Sequence, residues 1–325
     1  MKLILVALLT IILVSSTILS HAFVEGKSKD SKAKEKIIKA IGTAVEGRYS
    51  TIKLIQLSKS NVTGYILAYN NTKAVTPPSP PPTPPPVPTP TPTGKTTKIV
   101  FIGDVDSTAV RDAIKNDSPD FVVVSGDLGY RSSLSWFKTN YGDVFGSKLH
   151  CNQGNHDSSE DSSSSMSAET LAFCGDHWSF TTGNGTTLVI GLNTNGNEQT
   201  QINFVKSLPL TKYKNVIITS HKNGHVPPNA HHPAEAADLY TAIESIPLSN
   251  TKLYSVTAHN HQMSSTSNGL WWISGMGGHS KYTCGTSALW DYCQNQSYGF
   301  LEFVIDNSNG NIVGHFYDTN NKLLH

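Results

Sequence analysis

Val122-Val123-Val124-Ser125-Gly126-Asp127-Leu128-Gly129-Tyr130 is the stretch whose reading decides the fold. A β-branched run ends in Ser-Gly, and a carboxylate follows at once. This pattern predicts a buried strand whose C-terminal tip delivers Asp127 into a loop. Open α/β sheets place their chemistry at such tips. The same grammar recurs along the chain. Asp104 follows Lys98-Ile99-Val100-Phe101-Ile102-Gly103, and Asn155 and His156 follow Cys151-Asn152-Gln153-Gly154. His221 follows Val216-Ile217-Ile218-Thr219-Ser220, and His259 and His261 follow Tyr254-Ser255-Val256-Thr257-Ala258. Asp, Asp, Asn, His, His, His at successive strand ends is a set of hard and borderline metal ligands.

Outward from these tips, strands and helices alternate from Thr96. Strands are expected at Lys98–Ile102, Phe121–Ser125 and Lys148–Asn152, with helices opening near Ser107 and over Ser132–Phe145. Ser158–Ser167 reads as a Ser-rich loop. His177–Thr182 and Thr187–Leu192 read as an antiparallel pair turned at Gly183-Asn184-Gly185. Helix, strand and helix follow at Glu198–Ser207, Asn215–Thr219 and Ala234–Ile246. Strands at Lys252–Thr257, Leu270–Ser274, Tyr298–Ile305 and Ile312–Tyr317 close the chain. The expected class is α/β: two mixed β-sheets packed face to face with flanking helices, preceded by a small α+β unit.

The 325 residues carry a net charge of +1, unevenly spread. Residues 24–75 hold 10 Lys/Arg against 4 Asp/Glu, and residues 95–325 hold 14 against 20. The acidic part suits cation binding better than duplex nucleic acid, and it lacks a basic-aromatic stripe. Residues 1–22 have one early lysine, a short apolar core and the small-x-small ending Ser20-His21-Ala22, which predicts a secretory signal cleaved after Ala22. Residues 23–75 form a small basic unit, with a helix over roughly Lys34–Glu46 and alternating runs at Thr51–Leu57 and Val62–Tyr69. A cell-surface or wall contact is one use for it. Residues 76–94 hold 11 prolines in 19 positions, an extended spacer reaching roughly 60 Å. Cys151, Cys174, Cys284 and Cys293 are an even set in an exported chain; sequence-local pairing, 151 with 174 and 284 with 293, is the expectation.

The ordered series Gly103-Asp104, Gly126-Asp127, Gly154-Asn155-His156-Asp157, His221 and His259-Asn260-His261 resembles the calcineurin-like metallophosphoesterase superfamily over residues 97–325. The Gly-Asp-x-x-Tyr form at Gly126–Tyr130 is similar to its purple acid phosphatase branch. The resemblance implies an αββα sandwich and a dinuclear centre. A first metal would take Asp104, Asp127, Tyr130 and His261. A second would take Asp127 as the bridge with Asn155, His221 and His259. It further implies in-line attack on phosphorus by a metal-bridging hydroxide, with His156 donating to the phosphate or the leaving oxygen. His231 or His232 would serve as acid for the leaving group. The metals implied are Fe with Zn, Mn or Fe, or alternatively two Zn or two Mn.

Two departures stand out. The first motif reads Asp104-Val105-Asp106, so Asp106 is a third carboxylate on the first metal, a group behind its ligands, or only a cap on the helix near Ser107. Ala258 replaces the glycine usual before His259 and should crowd the backbone. The leading expectation is an exported hydrolase of phosphate monoesters acting on small phosphorylated substrates. A phosphodiesterase or nuclease on the same scaffold is the near alternative. A surface binding protein with an inactive metal site is the more distant one.

Overall fold

The computed structural model describes residues 94–325, with Ser164 and Gly183 by their backbone alone, and, of the preceding part, the backbone of three strands, at 21–25, 52–59 and 62–69. By contacts the chain divides into two compact units, Met1–Pro85 and Pro86–His325. In the first, β1 (His21–Glu25), β2 (Ile52–Lys59) and β3 (Val62–Tyr69) form one antiparallel sheet in the order β1-β3-β2. The expected hairpin is present, and β1 adds a strand that the sequence pattern did not announce. β1 also includes Ala22, the residue after which cleavage is expected. The helix expected over Lys34–Glu46 and most of the signal segment and proline-rich spacer lie outside the described residues.

The second unit holds two mixed sheets. One runs β15-β14-β4-β5-β6, with β4 (Thr96–Ile102), β5 (Phe121–Val124), β6 (Leu149–Cys151), β14 (Gly299–Asp306) and β15 (Ile312–Asp318). The other runs β13-β11-β12-β10-β9-β8-β7, with β7 (His177–Thr181), β8 (Thr187–Leu192), β9 (Asn215–Thr219), β10 (Lys252–Thr257), β11 (Met263–Ser265), β12 (Trp271–Ser274) and β13 (Tyr292–Gln294). β4, β5 and β6 pair in parallel, as do β8, β9, β10 and β12.

Period-2 alternation sorts the side chains into layers. Ile99 and Phe101 of β4 and Phe121 and Val123 of β5 meet Val189, Ile217 and Val256 between the sheets. Val100, Ile102, Val122 and Val124 face outward against α1 (Thr108–Asp117) and the helical segment 135–145, through Ala113, Ile114 and Phe137. On the other side, Ile190, Val216 and Ile218 pack on α3 (Glu198–Ser207) and α4 (Ala237–Glu244) through Val205, Leu239 and Ile243. Both faces of β4, β5, β8 and β9 are therefore apolar, which is why these strands read as unbroken hydrophobic runs. At about 25 cal/mol per Å² of apolar surface, each fully buried Ile or Phe contributes roughly 2–3 kcal/mol before conformational entropy is subtracted.

Three local expectations are corrected. The Ser-rich loop ends at Ser163, whose hydroxyl caps the backbone N–H of Met166 and starts α2 (Ser164–Cys174); serine is a poor helix former but a good N-cap, and here the cap decides. The helix over Ser132–Phe145 is broken by a π turn at Lys138–Gly142. β11 and β13 were not foreseen, because three-residue strands are too short to show periodicity. The cysteines pair as expected, Cys151 with Cys174 and Cys284 with Cys293. Among the described residues, no helix is long and apolar enough to cross a membrane.

Candidate metal centre

Asp104 and Asp127 leave β4 and β5 side by side, because those strands are parallel neighbours in register. Both residues take positive φ, 56° and 53°. So does His259, at 65°. Left-handed backbone at non-glycine residues costs of order 1–3 kcal/mol each, and it persists where the surroundings over-determine it. Here each such turn redirects a candidate ligand at the end of its strand. Gly154 lets this happen. A Cβ there would lie 2.0 Å from Asp127 Oδ1 and 2.2 Å from its backbone nitrogen. The crowding expected at Ala258 is absorbed by Gly103, where a Cβ would stand 2.3 Å from that of Ala258.

The side chains then converge. The ligand atoms of Asp104, Asp127 and His221, all buried, lie within 4.8 Å of one another. His221 Nε2 is 2.8 Å from Asn155 Oδ1 and 3.3 Å from Asp127 Oδ1. Across Asp104, the Tyr130 hydroxyl is 2.9 Å from Asp104 Oδ1 and 3.0 Å from His261 Nε2, and His261 Nε2 is 3.3 Å from Asp104 Oδ1. His259 adjoins His221, with ring centroids 4.9 Å apart, and its backbone N–H donates to Asp104 Oδ2 at 2.9 Å. His156 donates its backbone N–H to Asp127 Oδ1 at 3.1 Å, and its ring lies 4.8 Å from that of Tyr130.

The outer atom of each candidate ligand is already engaged. His221 Nδ1 donates to the Ser125 carbonyl at 2.8 Å, and His261 Nδ1 donates to the Ser280 carbonyl at 2.9 Å. A carbonyl only accepts, so both imidazoles carry the proton on Nδ1 and present a lone pair at Nε2. Asn155 Nδ2 donates to Asp161 at 2.6 Å, which turns its oxygen inward. The inward face is thus a collection of lone pairs with few hydrogens among them. Such a cluster needs a proton or a cation. Burial opposes a charge on His221, yet Asp127 overrides it and lifts His221 to about 9. Burial likewise opposes ionisation of Asp127, and His221 overrides that, so its pKa falls. Tyr130 moves the other way: burial, then the charges of Asp104 and Asp127, raise its pKa. A phenolate there needs a positive ion beside it. The donor set fits two cations, with carboxylate, imidazole and amide donors and outer partners that hold each one in place.

Other candidates fall further out. Asp106 pairs with Arg131 at 2.7 Å and His279 at 3.4 Å, and His279 stacks on Tyr130 at 3.6 Å. Its carboxylate therefore stands behind Tyr130, outside the cluster of Asp104, Asp127 and His221. The cap of α1 is Ser107, not Asp106. His232 stacks on His259 at 3.9 Å, and His231 stacks on Tyr282 at 4.0 Å. Tyr282 in turn covers His261 at 4.1 Å. His225 pairs with Glu244 at 2.7 Å and stacks on Trp271 at 3.6 Å, away from the ligands.

Sequence reasoning missed Asp157, Asp161 and Glu235. Asp157 accepts from the backbone N–H groups of Leu128 and Gly154, both at 2.9 Å, and locks the Asp127 loop to the Gly154 turn. Burial and then the Asp127 charge raise it to about 7. It was visible inside the Gly-Asn-His-Asp motif. Asp161 and Glu235 carried no sequence signal.

Comparison with known proteins agrees with this geometry. Residues 97–263 match the family model for calcineurin-like phosphoesterases. Among solved structures, the chain is similar to one described as "GAP50 the anchor in the inner membrane complex of Plasmodium", with 16% identity, a TM-score of 0.55, and coverage of 71% of this chain and 88% of that one. A structure described as a novel archaeal phosphodiesterase aligns at 13% identity over 68% of this chain and 99% of that one, with a TM-score of 0.32. No curated protein matches the chain. The family match spans more than half of the sequence and covers Asp104, Asp127, Asn155, His221, His259 and His261: the chain belongs to the calcineurin-like phosphoesterase family.

Proposed function

We propose that residues 95–325 are the catalytic domain of an exported dimetal phosphoesterase that hydrolyses phosphate monoesters. Residues 1–22 act as its signal peptide, residues 23–75 as a small basic unit that meets a cell surface or wall, and residues 76–94 as a spacer. The two disulfides support export. Asp104, Asp127, Tyr130 and His261 would hold one ion, and Asp127, Asn155, His221 and His259 would hold the other, with Asp127 common to both sets. The ions supply charge neutralisation on the phosphoryl oxygens and a more acidic water.

The chain's own residues do the remaining work. Asp127, fixed by the His156 N–H and by the Gly154 turn, holds the two sites at one spacing. His156 reaches the phosphate beside Tyr130. His231 or His232, on the loop that also carries Glu235, delivers a proton to the leaving oxygen; His232, stacked on His259, is the better placed of the two.

The observation that carries the purple-type reading is the Tyr130 hydroxyl lying 2.9 Å from Asp104 and 3.0 Å from His261. It favours iron in the first site, with Zn, Mn or Fe in the second. Metal analysis and a visible spectrum of the isolated protein, with rates on an aryl phosphate and a bis-aryl phosphate, test the proposal. Iron with a visible charge-transfer band and faster monoester cleavage are expected. Two colourless zinc or manganese ions overturn the tyrosinate assignment, and faster diester cleavage overturns the substrate class.

A further inference from the structure

We propose that Glu235 is a positioning residue for the second metal site, holding His259 so that Nδ1, not Nε2, faces the ion. The inference rests on the dinuclear reading above. Glu235 lies 24 residues before His259, in the loop that also carries His231 and His232. Its Oε1 is 3.3 Å from His259 Nε2 and 3.5 Å from His232 Nδ1. Its Oε2 is 3.5 Å from Lys222 Nζ, and the same ammonium pairs with Glu160 at 2.8 Å.

An imidazole has two nitrogens and one proton when neutral. A carboxylate at Nε2 draws the proton there, and the lone pair is left on Nδ1. Among the described residues, Nδ1 of His259 makes no hydrogen bond, whereas the outer nitrogens of His221 and His261 are held by the backbone carbonyls of Ser125 and Ser280. Glu235 thus does for His259 what a carbonyl does for the other two, with the opposite nitrogen presented. A carboxylate behind an imidazole also raises the basicity of the ligating nitrogen.

The second consequence concerns the loop. Glu235 Oε1 accepts from His259 and lies 3.5 Å from His232 Nδ1, while Lys222, directly after His221, faces the other oxygen. Lys222 also reaches Glu160 on the segment after Asn155. Two carboxylates, Glu235 and Glu160, and one ammonium therefore connect the elements that carry Asn155, His221 and His259 with the loop that carries His232. The ring of His232 is held flat on His259 by this arrangement.

The test uses the full chain, stripped of metal and titrated with Zn²⁺ alone under chelator competition. The second-site equivalent is identified as the one abolished by His221→Ala. Glu235→Leu is expected to weaken that equivalent by about 10–100-fold and to leave the other unchanged. Glu235→Gln, whose amide oxygen still accepts from Nε2–H, is expected to lose less. In the metal-free protein, ¹H–¹⁵N spectra of the histidine rings should show His259 as the Nε2–H tautomer, and Glu235→Leu should shift it toward a mixture. Glu244→Gln, on the His225 pair, should change none of these readouts. Equal weakening of both equivalents with a fall in Tm would mean a merely structural role and would overturn the proposal, as would unchanged binding in Glu235→Leu. A third Zn²⁺ equivalent lost with Glu235→Leu would overturn it in favour of a direct ligand. Wild type binding fewer than two ions would remove the dinuclear reading itself, and this proposal with it.

Discussion

Gly154→Ala should empty both metal sites through one methyl group. The added Cβ would stand 2.0 Å from Asp127 Oδ1, 2.8 Å from its Cγ and 2.2 Å from its backbone nitrogen. An ordinary contact needs roughly 3.4 Å or more, so the carboxylate or the Gly154 turn must move by about 1.4 Å. Metal–oxygen distances tolerate about ±0.2 Å. A displacement several times larger takes Asp127 out of reach of two ions at once. Relief is blocked in both directions: Asp157 ties the backbones of Leu128 and Gly154 to a single carboxylate, and His156 N–H holds Asp127 itself. Overpacking of this kind costs about 1–3 kcal/mol of stability, which a domain with two complete outer helical layers survives. The assay is elemental analysis after dialysis, with circular dichroism to establish folding and an aryl phosphate to follow turnover. The expected result is a folded protein with less than one ion per chain and background activity. Gly142→Ala is the control, because its Cβ would meet Phe173 Cζ at 3.5 Å and Lys138 Cβ at 3.9 Å, both ordinary contacts. A folded Gly154→Ala protein that keeps two ions at wild-type affinity would refute the idea that Asp127 is shared.

Further expectations follow from other parts of the molecule. Tyr130→Phe should abolish any visible charge-transfer band while leaving two ions bound, since Asp104 and His261 still meet at 3.3 Å; a retained band would show that the colour arises elsewhere. His150, stacked on Phe180 at 4.3 Å, is pushed down to about 4 by burial. Its folded value lies below the unfolded one, so the unfolded chain binds more protons between about pH 6.5 and pH 4, and stability falls as pH drops through that window. His150→Phe should remove about 3 kcal/mol of that acid-side loss in urea titrations at a series of pH values; an unchanged pH dependence would count against it. Replacing Cys151 and Cys174 by serine opens a loop of 23 residues and should cost about 3 kcal/mol by loop entropy. A denaturation midpoint equal to wild type would contradict this.

The candidate ligands Asp104, Asp127 and His221 were legible because each follows a strand whose hydrophobic run is itself legible. Val122–Val124 and Ile99–Ile102 are buried on both faces, so they appear as continuous apolar stretches with a polar residue at the exit. Strand order therefore placed Asp104, Asp127 and Asn155 past the C-terminal ends of strands in one sheet and His221, His259 and His261 past those in the other. The local pairing of the cysteines was legible for a similar reason, since short separations cost the least loop entropy to close. β11 and β13 were not, because their edges are specified by partners in the sheet and not by their own three residues.

What the tertiary structure alone decided is the second rank of groups. Asp106 sits two residues from Asp104 yet turns to Arg131 and His279. Asp161 turns the Asn155 amide, and Glu235 takes one nitrogen of His259. A ligand type is a property of one residue and its strand, so it survives in the sequence. The direction in which that ligand's lone pair points is set by a hydrogen bond to a group from another loop. Only packing brings those two groups within 3 Å or so of each other. The motif resemblance already grouped Tyr130 with Asp104 and His261; the fold is what puts its hydroxyl 2.9 Å from the one and 3.0 Å from the other.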